Sequence, residues 1–352
     1  MQLFIKTVLT IWCLLPSVLF GQQFDFELLT SNPITNLRGL SAVDDNVIWV
    51  CGNRGQIGHT INGGKTWRWT TPSGFSNSDF RAIYAIDSVT AIVMATSDPA
   101  MILRTENGGQ HWEIVFAINS DEVFLDAIDF WNPKEGVCMG DWTAGRPFTL
   151  LTSDSGKTWQ FMSYTGSGAV ADTLALFAAS GTCMRAHYNE NGEKEITAVL
   201  CGTADLIFRQ KADENFYSFI NGAYETRNRK PSRGIFSVAV DTINQLLWLV
   251  GGDFEVQASG YSRMYDMVSG DFIRPVIPVN GYRSCVELFK YGNASMAIAC
   301  GPTGIDVTTT SRQAAWLNVS SLPLNVARKA RKTGSVFLAG QQGTVFKMNI
   351  VD

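Results

Sequence analysis

The sequence predicts an all-β protein, a seven-bladed β-propeller of four-stranded blades. Three observations carry that reading. The phrase Thr60-Ile-Asn-Gly-Gly-Lys-Thr-Trp67 recurs as Thr105-Glu-Asn-Gly-Gly-Gln-His-Trp112 and Thr152-Ser-Asp-Ser-Gly-Lys-Thr-Trp159, its tryptophans 45 and 47 residues apart. A period of that length marks a repeat architecture. A short apolar run, usually closed by glycine, occurs seven times: residues 49–52, 93–96, 137–140, 199–202, 249–252, 298–301 and 337–340. The two ends of the chain read as parts of one unit, the seventh, which the N-terminal strand completes.

Bulk composition fits many short strands. The 352 residues include 32 Gly, 21 Phe and 10 Trp, with 45% hydrophobic and 17% charged. A net charge of −4 gives no field that favours nucleic acid or an anionic membrane. Residues 1–21 read as a secretory signal: Lys6 precedes the apolar stretch 7–20, which is too short to span a bilayer. Residues 22–352 then form a single propeller domain, exported to the periplasm or beyond, with no transmembrane anchor and monomeric. Six cysteines follow the signal. Cys51, Cys138, Cys201 and Cys300 stand beside the glycine step of equivalent strands, which suits small buried side chains better than a disulfide framework. Cys285 with Cys300, or Cys183 with Cys201, could still pair across adjacent strands.

Each apolar run suits a strand buried on both faces. Another strand follows each run, at residues 56–60, 101–105, 148–152, 206–209, 262–266, 305–309 and 344–348. An inner strand precedes most of them, at residues 39–43, 82–86, 127–130, 174–177, 235–239 and 285–289. In unit 4 the segments 183–187 and 196–201 read as an insertion split by a hairpin tip at 189–194. The repeated phrase supplies the turn to the outermost strand. Asn62, Asn107 or Asp154 is placed to accept from backbone N–H groups two residues on. Gly64, Gly109 and Gly156 permit a positive φ. The tryptophan opens the next strand and packs between sheets. Thr309-Thr-Ser-Arg-Gln-Ala-Ala-Trp316 is a worn copy. Residues 24–29 read as a detached fourth strand that pairs with the final strand, 345–350, and closes the ring.

Counting units also lines up candidate site residues on the connections that lead to the inner strands, near the axis. Four of these connections carry arginine: Arg38, Arg81, Arg233 and Arg283. Blade 3 has Asp126 there instead, and Tyr282 precedes Arg283. Arginines ringing a channel mouth suit carboxylates or phosphates, because the guanidinium fork matches them. The alternative is that each arginine pairs with a neighbouring carboxylate such as Asp79 or Asp126. Blade 7 has the basic run 328–332. Loops 74–78, 165–173 and 221–232 are polar, and the last holds Arg227, Arg229 and Lys230 as well as Arg233.

No Ser/His/Asp, phosphate-loop, dinucleotide or zinc pattern is present in the sequence, so no catalytic residue, metal ligand or cofactor is assigned. A sialidase-type glycosidase would need an arginine triad and a Tyr–Glu pair. Asp126, Asp129, Glu287, Tyr84 and Tyr282 supply carboxylates and phenols near the channel without an assignable pair.

The repeated phrase matches the Asp-box, or BNR, template. Together with Arg81-Ala-Ile, Phe124-Leu-Asp-Ala-Ile-Asp-Phe-Trp131, Gly234-Ile-Phe-Ser-Val238, Val250-Gly-Gly-Asp253 and Gly281-Tyr-Arg-Ser-Cys285, it makes the mature chain resemble exported bacterial propellers of the photosystem II stability/assembly factor-like group. That resemblance implies a non-catalytic propeller that holds a protein partner through an arginine-lined face, here Arg38, Arg81, Arg233 and Arg283. The expected partner is an unidentified envelope or extracellular protein, or an anionic glycan. A sialidase-like hydrolase or glycan-binding lectin is the alternative.

Overall fold

The computed structural model describes residues 23–32, 34–97, 99–143, 145–164, 175–201, 205–221 and 230–351. The expected signal, the 165–173 loop and residues 222–229 of the basic loop lie outside the described residues.

The described strands form seven four-stranded sheets, each ordered consecutively apart from the closing one. Blade 1 comprises Leu37–Ala42, Ile48–Gly52, Ile57–Thr60 and Arg68–Thr70. Blade 2 comprises Phe80–Ala85, Ala91–Ala95, Ala100–Thr105 and Glu113–Ile118. Blade 3 has Leu125–Phe130, Gly136–Thr143, Arg146–Thr152 and the short Gln160–Phe161. Blade 4 has Met184–Tyr188, Lys194–Leu200, Leu206–Lys211 and Ser218–Asn221. Blade 5 has Arg233–Asp241, Leu246–Asp253, Gly260–Asp266 and Phe272–Ile273. Blade 6 has Cys285–Tyr291, Ala294–Gly301, Gly304–Thr309 and Leu317–Ser320. Blade 7 has Leu324–Lys329, Val336–Gly340 and Val345–Val351, and the N-terminal Gln23–Thr30 is its fourth strand.

That last strand closes the ring. It runs antiparallel to Val345–Val351 from Gln23 opposite Val351 to Thr30 opposite Val345. It covers the outer edge of Val345–Val351 and completes the last blade as a four-stranded sheet. The apolar runs are buried as expected: every residue of Ile48–Gly52, Ala91–Ala95 and Val336–Gly340 is shielded. Apolar clusters join neighbouring sheets, so the core is a set of wedges between blades. Each fully buried aliphatic side chain there contributes roughly 1.5–3 kcal/mol of transfer free energy.

The six described cysteines are buried, and none is joined to another in a disulfide. Several bridge blades as thiols. Cys51 Sγ lies 3.6 Å from Phe80 O, and Cys201 Sγ donates to Ile235 O at 2.9 Å. Cys285 faces Cys300 directly across two strands. Cys183 and Cys201 do not face one another, because Cys201 bridges Ala175 instead.

The repeated turn is locked by side chains, with one change from expectation. Asn62 Oδ1 accepts from Thr66 N four residues on, not two, at 3.0 Å. Asn107 and Asp154 do the same with His111 N and Thr158 N at 2.9 Å. The preceding threonine completes the lock: Thr60, Thr105 and Thr152 Oγ1 accept from Gly64, Gly109 and Gly156 N at 3.0–3.1 Å. Those glycines have φ of 87°, 76° and 75°. The tryptophans pack against the preceding blade, Trp112 edge-on to Trp49 at 6.2 Å. The worn copy has lost the lock, with Thr309 Oγ1 unpartnered, yet Trp316 still packs on Trp248 at 5.9 Å.

Blade 4 departs from the sequence reading. Its inner strand is Met184–Tyr188, and among the described residues of the expected strand 174–177, which begin at Ala175, only Ala175 pairs, through an isolated bridge to Cys201. Residues 175–183 instead cross the middle of the ring.

Candidate functional site: the arginine mouth and the axial segment

The first strands of successive blades contact one another and surround the axis. Their N-terminal ends gather at one mouth, where Asn325 Nδ2 donates to Leu37 O at 2.8 Å. Their C-terminal ends gather at the other, where Arg331 N donates to Ala42 O at 3.2 Å.

At the N-terminal mouth most first strands begin with a bulge. The register breaks between Leu37 and Gly39, Phe80 and Ala82, Leu125 and Ala127, Ile235 and Ser237, and Leu324 and Val326. The extra residue of a bulge is unpaired and re-aims its side chain. Those residues are Arg38, Arg81, Asp126, Phe236 and Asn325. In blade 6 Cys285 faces Cys300 as Gly39 faces Cys51, so Ser284 is the equivalent of Arg38.

This register corrects the ring of four arginines. Arg283 stands one residue before the bulge position, where the five bulged blades have Leu37, Phe80, Leu125, Ile235 and Leu324. All of these are buried, and Arg283 is likewise 0% exposed. Its Nε is 2.6 Å from Asp306 Oδ2, and its Nη1 donates to Tyr282 O and Thr303 Oγ1. A one-residue shift along a strand sends a side chain to the opposite side, and here it sends a guanidinium into the interior. Arg233 lies three residues before its bulge, opposite Asp253 in the ladder. Arg38 and Arg81 are the two arginines that the structure brings together.

Both reach the axial segment. Arg38 Nη1 donates to Ala179 O and Arg81 Nη1 to Ala178 O, each at 3.2 Å. Arg81 Nε also pairs with Asp79 Oδ2 at 2.8 Å, so the alternative of a carboxylate partner holds for this residue. Burial lowers the Arg38 pKa from its ordinary value, and the Arg81 charge beside it adds to the effect.

The segment is tied to every other blade as well. Leu176 N donates to Asp141 Oδ1 in blade 3 at 2.8 Å. Thr182 shares a 2.6 Å hydrogen bond with Ser237 of blade 5, and Ser180 Oγ donates to Ser284 O of blade 6 at 2.7 Å. Arg328 of blade 7 donates to Gly181 O at 3.2 Å. The segment itself leads directly into blade 4. Its residues are small, Ala178-Ala-Ser-Gly181, because backbone must pass where seven strands converge. Gly181 has φ 63°, and a Cβ there would lie 2.9 Å from the Ala82 methyl carbon.

Asp126 points under this segment and is 0% exposed. Neither of its oxygens has a hydrogen-bond partner of normal geometry, although Ala178 N–H and the Asp141 carboxyl lie beside it. Burial raises its pKa well above the usual carboxylate range, with Asp141 second and Arg81 opposing. Burial also pushes Asp141 up to about 6. The two carboxyls therefore hold protons that isolated aspartates would lose, and a protonated Asp126 can donate to Asp141.

An aromatic patch adjoins the arginines. Phe177 packs on Phe236 at 4.4 Å, Phe236 on Tyr282 at 5.0 Å, and Phe254 lies 6.3 Å from Phe177. Phe254 is 43% exposed and Tyr282 is 6% exposed. Burial raises the Tyr282 pKa, and nearby Arg38 and Arg81 pull it down. Asp129, Glu287 and Tyr84, considered above for glycosidase chemistry, lie instead around a cavity near the opposite mouth. The axial segment and the aromatic patch were missed in the sequence. The run of small residues after Phe177, in an unusually long connection between blades, was the available signal.

No family model matches the chain, and no curated protein does. Among solved structures, YCF48 from Cyanidioschyzon merolae aligns with a TM-score of 0.63 at 14% identity, over 92% of this chain and 98% of that one. A structure of YCF48 bound to a D1 peptide aligns with a TM-score of 0.59 at 15% identity, over 92% of this chain and 96% of that one. At such identities the likeness is one of fold.

Proposed function

We propose that this chain is a non-catalytic binding propeller, exported through its N-terminal signal, whose N-terminal mouth receives an acidic or C-terminal segment of a protein partner. The observation that carries the reading is the pairing of Arg38 and Arg81 at equivalent bulges beside a partly exposed aromatic patch. Guanidinium groups recognise a carboxylate, and the aromatic rings offer area to an adjoining apolar side chain. The present bonds to Ala178 and Ala179 carbonyls use one Nη1 donor of each arginine and leave others for a ligand. A propeller of the same fold, YCF48, has been solved with a D1 peptide bound, which supports a peptide as the kind of ligand. The partner of this chain is its own and is not taken from that protein.

A sialidase-type site is less well supported. At this mouth it needs three converging guanidinium groups, and Arg283 is committed to Asp306; at the opposite mouth Arg185 and Arg328 are both engaged with Glu287.

The test is a peptide array probed with wild type and with an Arg38→Met/Arg81→Met variant. Each sequence is displayed with a free and an amidated C-terminus. Wild type should select free-acid or Asp/Glu-rich peptides, and the variant should lose them. An unchanged selection in the variant would overturn the reading.

A further inference from the structure

A second basic site lies on the axis near the C-terminal mouth, on the far side of the segment 175–183 from Arg38. First strands of several blades, and the residues just after the blade 7 strand, surround a cavity of about 150 Å³. Blade 4 contributes Arg185, and blade 7 contributes Arg328, Lys329 and Arg331. Two carboxylates, Asp129 and Glu287, face these four basic groups, an excess of two positive charges.

The carboxylates are already engaged. Asp129 accepts from Phe130 N and Ala186 N, both at 3.0 Å. Glu287 Oε2 is shared between Arg185 Nη2 at 3.3 Å and Arg328 Nη1 at 3.6 Å, and its Oε1 accepts from Leu288 N. Arg331 has no ion pair among the described residues. Its guanidinium lies 4.5 Å from the Tyr84 ring centroid and donates to Ser41 Oγ and Ala85 O. Those contacts use two of its five N–H groups and hold the fork at the cavity in a fixed orientation. Lys329 is exposed and also has no ion pair among the described residues. Uncompensated positive charge beside a low-dielectric wall is costly, and an anion offsets that cost.

We propose that this cavity is a binding site for a small oxyanion carrying about two negative charges, such as inorganic phosphate or a short dicarboxylate. Arg331 and Lys329 supply the donors not already committed to carboxylates, and Arg185 and Arg328 supply the fixed field behind them. The site is independent of the peptide-binding mouth, because its ligand-facing residues are separate from Arg38 and Arg81.

Isothermal titration with inorganic phosphate and, separately, with succinate tests the proposal, at constant ionic strength set by sodium chloride. Wild type should show one saturable site for at least one of the two, and which one binds identifies the class. Arg331→Gln should weaken that binding by about tenfold or more, the worth of one charge-assisted hydrogen bond. Lys329→Gln, at an exposed position, should weaken it in the same direction and serves if Arg331→Gln melts differently from wild type. Arg38→Gln should leave it unchanged. Absence of saturable binding by either anion at millimolar concentration would overturn the proposal. So would equal weakening by Arg38→Gln, which would locate the anion at the other mouth. Loss of peptide selection in the Arg38→Met/Arg81→Met variant with phosphate binding intact would separate the two sites.

Discussion

Blades 1 and 2 begin with an arginine at the bulge, and blade 6 begins with one a single residue earlier. In sequence the three are alike: Leu37-Arg38-Gly-Leu, Phe80-Arg81-Ala-Ile, Tyr282-Arg283-Ser-Cys. In the fold they are opposites. Arg81 has 26% of its side chain exposed and reaches the axis, whereas Arg283 is sealed against Asp306. One step of register separates a group able to meet a ligand from one that holds a blade together.

The largest effect should come from breaking the buried member. Arg283→Met leaves the Asp306 carboxylate buried without its cation, and should cost about 3–5 kcal/mol. Urea denaturation measures it, and a loss no greater than that of Arg81→Met would erase the contrast. Next is the shared support of the half-buried pair, Arg38 and Arg81. Gly181→Val combines a β-branched residue at φ 63° with a clash against Ala82, and should cost about 2–4 kcal/mol. It should also lower peptide binding at the mouth, since Arg38 and Arg81 would lose the carbonyls that orient them. Wild-type stability and binding in this variant would show that the axial segment is dispensable.

The third prediction concerns Asp126, the acidic occupant of the same bulge position. Asp126 and Asp141 both have raised pKa values, Asp141 to about 6. The native state therefore binds more protons than the unfolded state from about pH 4 upward to those folded values, and their contribution to stability is lost as pH rises through that window. The expected decline is on the order of 1–3 kcal/mol. Asp126→Asn should flatten it, and an equally steep profile in that variant would remove the pair as its cause. The smallest effect belongs to Arg81→Met. Its pair with Asp79 is partly exposed, so its loss should shift stability by less than about 1 kcal/mol while peptide binding falls.

Much of the fold was legible because its signals are local. The glycine steps at Cys51-Gly52 and Cys300-Gly301, the locked turn at Thr60–Trp67 and the strand-like ends all depend on nearby residues. The bulges were not legible, because an extra residue in a ladder is defined by the strand opposite. Arg233 and Arg283 were aligned by distance from the glycine motifs and not by that pairing. Nor was the path of Ala175–Cys183 legible. Its apolar start resembles an inner strand, and only contact with the other blades distinguishes a strand from a segment that crosses the axis.

The sequence by itself determined seven repeats, buried second strands and a ring closed by its own termini, since periodicity and turn chemistry act over a few residues. Tertiary structure decided which arginines face the channel, where Asp126 points, and that the centre of the ring is crossed by backbone. Those outcomes follow from hydrogen-bond register and from convergence of distant strands on one axis, and neither is encoded in any short stretch of chain.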